Sequence, residues 1–463
     1  MLSRFSILCA VTALFASLAL AQPSPPSGQS TASLATPTLT LPDALRYAIE
    51  HNPAIAQARE RIREQQGVVL EVRAQQIPNL ALSGDISAND RDLSAGSPAQ
   101  NRNWGMGVVA SQLLYSGGGA LASSRSARLA VQAAELELQA IVNEALLSVR
   151  TLFYGALLAK EQVAVQEENL KLLEEQLKDV QSRFAAGSVS NFEVLRAQVA
   201  LANGQPDLIT ARNDYRLAIE ELRRALGVPR AATSALASAA TPAQAATSLP
   251  PLAGELALEG TPAQTVDEAS LMASLSAARA NRPELQRLSK LAQAGENQVV
   301  AARSGYLPRL SAFGRYDWQR GGPSTGWSDR RDGWTAGLQT QWAVFDGRAT
   351  AGRSAQAKSR LVQTRLALEE TELAIDVEVR RAHSSLTEAS ELVSASAKVV
   401  EQADEALRLA RVRYAAGTAT QLDVLTSQVE LTRARLNQWQ SVYRYNVALA
   451  ALRQATGTPD PLI

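Results

Sequence analysis

Hydrophobic positions along this chain change period at recurring points. In the stretch 334–344, Trp334, Ala336, Leu338, Trp342 and Val344 alternate with Thr335, Gly337, Gln339 and Gln341, the period of two expected of a strand with one apolar face. Leu310, Ala312, Tyr316 and Trp318 alternate with Arg309, Ser311, Arg315 and Asp317 in the same way. Leu80, Leu82 and Ile86, then Trp104, Met106 and Val108, form a weaker pair of the same kind. Gly-, Asp- and Arg-rich loops, Asn89–Asn103 and Gln319–Gly333, separate the members of each pair. Elsewhere the period is helical. A proline-free run over about Ala120–Phe184 predicts a helix roughly 100 Å long, and Thr350–Tyr414 predicts another. Each is preceded, before its strands, by a helix of about 34 residues (Pro42–Gln76 and Leu271–Ser304). Each is followed by a helix of about 36 residues ending at Gly227 or Gly457. Two shorter helices end to end match one long one, so the arithmetic predicts antiparallel helical hairpins with strand pairs at one end. In the last helix Leu422, Leu425, Val429, Thr432, Leu436, Trp439 and Tyr443 step by three and four, which predicts a coiled-coil seam. Its counterpart contains Pro206, which predicts a kink.

The same order of elements occurs twice at one constant offset of 230 residues. Pro53 matches Pro283, Trp104 matches Trp334, and Val149-Arg150 matches Val379-Arg380. Arg183-Phe-Ala-Ala-Gly187 matches Arg413-Tyr-Ala-Ala-Gly417, continuing to Gly227 and Gly457. A single ungapped offset over most of the chain predicts a tandem duplication. The expected organisation is a signal peptide at 1–21, a linker at 22–40, a first repeat at 41–229, a second repeat at 271–459 and a tail at 460–463. Between the repeats lies an Ala/Pro/Ser/Thr-rich segment at 230–270.

The repeated tight turn carries the most chemical information. Arg183 and Arg413 suit the negative ends of the long helices. Gly187 and Gly417 stand where a left-handed C-cap needs glycine. Ser190-x-x-Glu193 and Thr420-x-x-Asp423 have the form of capping boxes opening the next helices. Capping accounts for all these residues; exposure of the turn at the far end of a long rod also suits it to meeting a partner or gating a passage.

Composition narrows the function by exclusion. Lys and Arg number 46 against 45 Asp and Glu, a balance that gives no basic face for nucleic acid. Two histidines, His51 and His383, and one cysteine, Cys9, leave no stock for a His/Cys metal site or a disulfide framework. Gly105-x-Gly107-x-x-Ala110 sits within an alternating segment and lacks the acidic partner of a dinucleotide site. Gly117-Gly118-Gly119 has no Lys-Ser/Thr after it and reads as a strand-to-helix corner. No catalytic residue, metal or cofactor is expected. Arg4, the apolar run 5–20 and Ala19-Leu20-Ala21 read as a cleaved secretory signal, with Cys9 inside it. No run of 18 apolar residues follows, so membrane entry requires a β-barrel, on which Trp104, Trp318, Trp334 and Trp342 suit the bilayer interface.

The duplicated order, the signal peptide, the paired RFAAGSVSNFEVL and RYAAGTATQLDVL turns and the opening LTLPDALRYAIEHNPAI resemble the TolC-type outer membrane efflux protein family. The resemblance covers about Leu39–Pro459. It implies a mainly α fold with β: a homotrimer whose long helical hairpins form an α-barrel extending into the periplasm. Four strands per protomer would enter a twelve-stranded transmembrane β-barrel in the outer-membrane lipid. The implied partners are a periplasmic adaptor (membrane fusion) protein and an inner-membrane pump or ABC exporter. The implied role is export of small toxic molecules or, in type I secretion, protein. Residues at matching positions are Glu193, Tyr414 and Asp423 for the periplasmic gate, and Arg183, Gly187, Arg413 and Gly417 for the adaptor-contact tips. At Ala419 and Thr426 the sequence departs from that family, in which an arginine and a second aspartate can stand. A gate here would therefore lack its ion pair and rest on a Glu193–Tyr414 hydrogen bond. A pore-less periplasmic coiled-coil scaffold is the competing class, and a diffusion porin with a helical appendage is a third.

Overall fold

The computed structural model describes residues 38–88, 102–228, 257–258, 270–320 and 330–458. The expected signal peptide, the linkers, the tail and the two strand-connecting loops lie wholly or mostly outside the described residues. Fifteen elements follow in order: β1 (Thr38–Leu39), α1 (Leu41–His51), α2 (Pro53–Ala74), β2 (Asn79–Ala88), β3 (Arg102–Tyr115), α3 (Gly119–Ala185), α4 (Asn191–Leu226), β4 (Ala257–Leu258), α5 (Leu271–Asn281), α6 (Pro283–Arg303), a 3-10 turn (Ser304–Tyr306), β5 (Arg309–Arg320), β6 (Arg330–Gln341), α7 (Ala349–Ala415) and α8 (Gln421–Thr456).

Each opening helix is two helices, which corrects the expectation of one. The chain turns extended at Asn52 and Arg282 (ψ 125° and 118°), because the proline after each cannot donate to the preceding turn and disfavours helical backbone before it. Asn52 Oδ1 then caps α2 by accepting from the amides of Ala54 and Ile55, while its Nδ2 donates to Ala225 O at 2.8 Å. Arg282 holds the corresponding place. Its side chain is 7% exposed, it donates to Gln454 O at 3.0 Å, and it pairs with Glu378 at 2.8 Å and Glu284 at 3.1 Å. The end of α4 therefore meets the α1–α2 corner, and the end of α8 meets the α5–α6 corner. The contact at Gly227, in left-handed conformation (φ 75°), is so close that a Cβ would overlap His51 O.

Two hydrophobic cores lie at this level. Leu45, Val149, Phe153, Leu222 and Leu226 centre the first; Ala278, Val379, Tyr445 and Ala455 centre the second. Above them α2 and α6 run along the upper parts of α3 and α7, and below them α4 and α8 run along the lower parts. α3 also packs on α6 and α8, which joins the halves. Among the described residues α3 is the one helix long and apolar enough, by length and composition, to cross a membrane; here its Leu146, Val149, Phe153 and Leu157 pack in the first core.

Helix α4 runs from Asn191 to Leu226 as one element with Pro206 inside it. One further expectation is corrected. The predicted seam of α8 is displaced by one position: Leu422 and Val429 are exposed, whereas Gln421, Val424, Gln428, Leu431 and Ala434 are buried. α8 is wedged between α7 and α3, so the wedge centre, rather than the most apolar row, is covered.

The strands form one antiparallel sheet in the order β2-β3-β5-β6. Register places Leu82 beside Val108, Val108 beside Tyr316 and Tyr316 beside Trp334. Since paired residues share a face, one face is apolar across all four strands, while Ser83, Gly107, Asp317 and Gly333 lie on the other. Strands β5 and β6 reach Arg320 and Arg330, so Arg320, Arg330 and Arg331 belong to strand ends, correcting the longer loop expected.

Candidate functional site

The tips of the two helical hairpins come together. Each long helix ends in the same turn: Gly187 at φ 75° and Gly417 at φ 73° are left-handed, and the amides of Ser188 and Thr418 close on the carbonyls of Arg183 and Arg413 at 2.9 Å. An added Cβ at either glycine meets nothing within 4 Å, so backbone conformation alone requires glycine there.

Beyond the turns the halves differ. Thr420 and Asp423 make a full capping box. Thr420 Oγ1 accepts from the Asp423 amide at 3.3 Å, and the Asp423 carboxylate accepts from the Thr420 amide at 2.7 Å. Those hydrogen bonds from Thr420 hold the Asp423 carboxyl below its ordinary value. The box expected at Ser190 and Glu193 does not form; Ser190 makes no side-chain cap. Glu193 turns across the seam, where its Oε2 accepts from the Tyr414 hydroxyl at 3.5 Å, the long limit of a hydrogen bond.

Arg183, expected with Gly187, Arg413 and Gly417 among the adaptor-contact tips, turns its side chain across the seam. The Arg183 guanidinium lies 4.8 Å from the Tyr414 ring centroid and pairs with Asp179 at 2.9 Å. That ion pair lies within α3 and joins no two elements; across the seam the cation acts through the aromatic face, worth about 0.5–1 kcal/mol where water is near. Burial and the Glu193 charge raise the Tyr414 phenol above its ordinary value. Arg413, by contrast, is exposed.

Further up the seam Gln428 Nε2 donates to Asn169 Oδ1 at 3.1 Å, Thr432 donates to the same oxygen at 3.2 Å, and Arg435 pairs with Glu168 at 2.6 Å. None of these was legible in the sequence, because each joins side chains more than 250 residues apart with no local motif. A cavity of about 190 Å³ beside this seam is lined by Gln176, Asp179, Arg183, Arg411, Tyr414 and Val424. Among the described residues no group of three or more His, Cys, Asp or Glu is placed to hold a metal ion.

The sheet is the second functional surface. On its apolar face Trp334 is 76% exposed, Trp104 and Trp318 are partly exposed, and Tyr316 donates to Asp332 at 2.6 Å. Trp342 stands just beyond β6, and its Nε1 donates to Tyr306 O at 3.1 Å. Trp334 and Trp342 are eight residues apart, about 27 Å along an untilted strand, on the scale of the ~25 Å apolar band of a barrel. The opposite face carries Asp85 and the pair Arg315–Asp317, 2.6 Å apart.

A family model described as outer membrane efflux protein matches residues 44–228 and 274–458. Over 420 residues the chain is 26% identical to the protein CyaE of Bordetella pertussis, covering 90% of this chain and 84% of that one. It is 24% identical over 317 residues to the alkaline protease secretion protein AprF of Pseudomonas aeruginosa, a match spanning 68% of this chain and 62% of the relative. Among solved structures, CusC aligns with a TM-score of 0.75 at 18% identity, covering 90% of this chain and 92% of that one. VceC of Vibrio cholerae aligns with a TM-score of 0.71 at 18% identity, covering 90% and 96%.

Proposed function

This chain belongs to the outer membrane efflux protein family, and from that premise we propose that it is the outer-membrane channel of a tripartite export system. Three copies, joined by β-sheet and helix, enclose one passage from the periplasm to the outside. The observation that carries this reading is the four-stranded sheet, apolar on one face and unpaired along both edges, at the end of helices 67 residues long. In lipid an unpaired strand edge leaves backbone groups without partners, so the sheet must close. Two copies would give eight strands and an interior filled by side chains; three give twelve and room for a passage. The tandem duplication supports the same reading, since each half supplies one strand pair and one hairpin to a ring of near-equivalent units.

Glu193, Tyr414 and Asp423 are the gate residues of this reading, with Arg183 added as the cation that closes the seam. Gly187, Arg413 and Gly417 are left at the exposed tips for a periplasmic adaptor, behind which an inner-membrane pump or ABC exporter loads the cargo. AprF is an alkaline protease secretion protein and the matching family is described by efflux, so protein cargo and small toxic molecules both fall within this reading. Purified protein in a planar bilayer tests the channel: discrete conductance is expected. Trimers that insert without conducting would favour the pore-less scaffold.

A further inference from the structure

The polar face of the sheet carries one aromatic residue among the described positions of its four strands, Phe313 on β5. Arg315 and Asp317 follow it at alternate positions, in steps of about 7 Å on the same face. The flanking strands are low at these three levels. β3 and β6 give Ser111 and Gly337 beside Phe313, and Val109 and Thr335 beside Arg315. Beside Asp317 they give only glycine, Gly107 and Gly333. β5 therefore stands as a ridge of one ring, one cation and one anion. Its counterpart 230 residues earlier, β2, carries Ser83, Asp85 and Ser87 instead, so each copy has a single such ridge. We infer that Phe313, Arg315 and Asp317 are where aromatic, charged cargo touches the wall of the passage, and that Gly107 is the seat that keeps their ion pair closed. This rests on the proposed passage and adds the strand on which cargo meets it.

Glycine decides how the charges lie. Asp317 leans towards β3, and a Cβ at Gly107 would overlap its Oδ1. A Cβ at Gly333, on the other side of the same residue, would meet nothing within 4 Å. Asp85 leans over Gly105 from β2 in the same manner, its Oδ1 2.8 Å from where a Cβ would stand. The Gly105-x-Gly107 spacing, which fits no dinucleotide site, thus has a use in the wall: two carboxylates, one from each half, lie along β3. In that position Asp317 Oδ1, the atom seated on Gly107, accepts from Arg315 Nε at 2.6 Å.

The chemistry that follows is weak and even-handed. The Phe313 ring lies against Gly337, whose added Cβ would be 3.3 Å from Cζ, and offers an apolar surface to another ring. Among the described residues Asp317 is the one partner of Arg315, and the arginine side chain is 53% exposed. Its terminal NH2 groups remain for an acidic group on cargo, and the second oxygen of Asp317 for a basic one. While the pair is closed each charge offsets the other, so the ridge favours neither sign. Contact of that strength lets cargo enter and leave, as conduction requires.

The test uses the full chain carrying Cys9→Ser, reconstituted in liposomes. Thr335→Cys stands beside Arg315 on the polar face, and Leu338→Cys on the apolar face. Methanethiosulfonates bearing an ammonium or a sulfonate should modify Thr335→Cys at similar rates and leave Leu338→Cys largely unmodified. A unit charge about 5 Å away changes such a rate roughly fourfold in water, so Asp317→Asn should raise the sulfonate-to-ammonium ratio about fourfold and Arg315→Gln lower it as much. Gly107→Ala, which displaces the oxygen bonded to Arg315, should raise the ratio as well, and Gly333→Ala should leave it unchanged. Phe313→Ser should weaken single-channel block by 2-naphthalenesulfonate and by naphthylmethylammonium alike, each about threefold. Equal ratios in the two glycine variants would overturn the seat. Ratios unmoved by Arg315→Gln and Asp317→Asn, or block unmoved by Phe313→Ser, would overturn the ridge and leave a conducting channel intact. A Thr335→Cys that reacts no faster than Leu338→Cys would mean that the polar face lines no water, and would remove both readings.

Discussion

Ser190 and Thr420 hold the same place in the two tight turns, yet only Thr420 caps a helix. What separates them is where the acidic partner goes: Glu193 accepts from the Tyr414 hydroxyl, whereas Asp423 accepts from Thr420. Thr420→Ala should therefore lower stability by about 1 kcal/mol, while Ser190→Ala leaves the melting temperature within error. Urea denaturation of both variants decides it. Tyr414 adds a pH dependence. Its folded-state value lies above the ordinary 10.0, so the stability it contributes is complete below pH 10 and is lost as pH rises through the higher folded value. Tyr414→Phe should flatten that alkaline limb in melts followed from pH 9 to 12. Arg348 is the one described non-glycine residue with positive φ, 71°, where the first half has Gly118. Arg348→Gly should be neutral or stabilise by up to ~1 kcal/mol; a clear fall in melting temperature would contradict the strain argument.

At the level of elements, the long helices are held at the two cores and at a smaller cluster of Leu407, Val424 and Leu431 nearer the tips. Phe153 is 1% exposed at the centre of the first core. Phe153→Ala should cost about 3–5 kcal/mol, seen as a large shift in the chemical denaturation midpoint. At the tips the predicted effect is on function. Gly417→Trp strains a left-handed turn and adds bulk at an exposed surface, so export should fail while trimers still reach the outer membrane. Normal export by that variant would remove the tips as the adaptor surface.

For the whole molecule, threefold repetition would bring the Asp423 carboxylates into one acidic ring at the narrow end, favouring cations. Asp423→Asn should reduce cation selectivity and multivalent-cation block in single-channel recordings. Unchanged selectivity with only a lower melting temperature would leave Asp423 as a helix cap alone. Topology is checked at the opposite end, where Ser328→Cys, between β5 and β6, should react with an impermeant reagent on intact cells.

Local patterns were legible along the chain because they depend on neighbours in sequence. The alternation of Trp334, Ala336 and Leu338 gave the strands, the Gly187 and Gly417 turns gave the helix ends, and the 230-residue offset gave the repetition. The break at Asn52-Pro53 is signalled by the proline but masked by the helical pattern that continues on both sides. Other features depended on which elements face each other in space. The buried row of α8 is set by its wedge between α3 and α7, so Leu422 and Val429, the most regular apolar row, lie outside it. Whether Glu193 caps its helix or reaches Tyr414 is decided by a ring 221 residues away. Periodicity records that a helix has a buried side. Only packing chooses among competing rows, because the free energy of burial belongs to the pair of surfaces and not to either one.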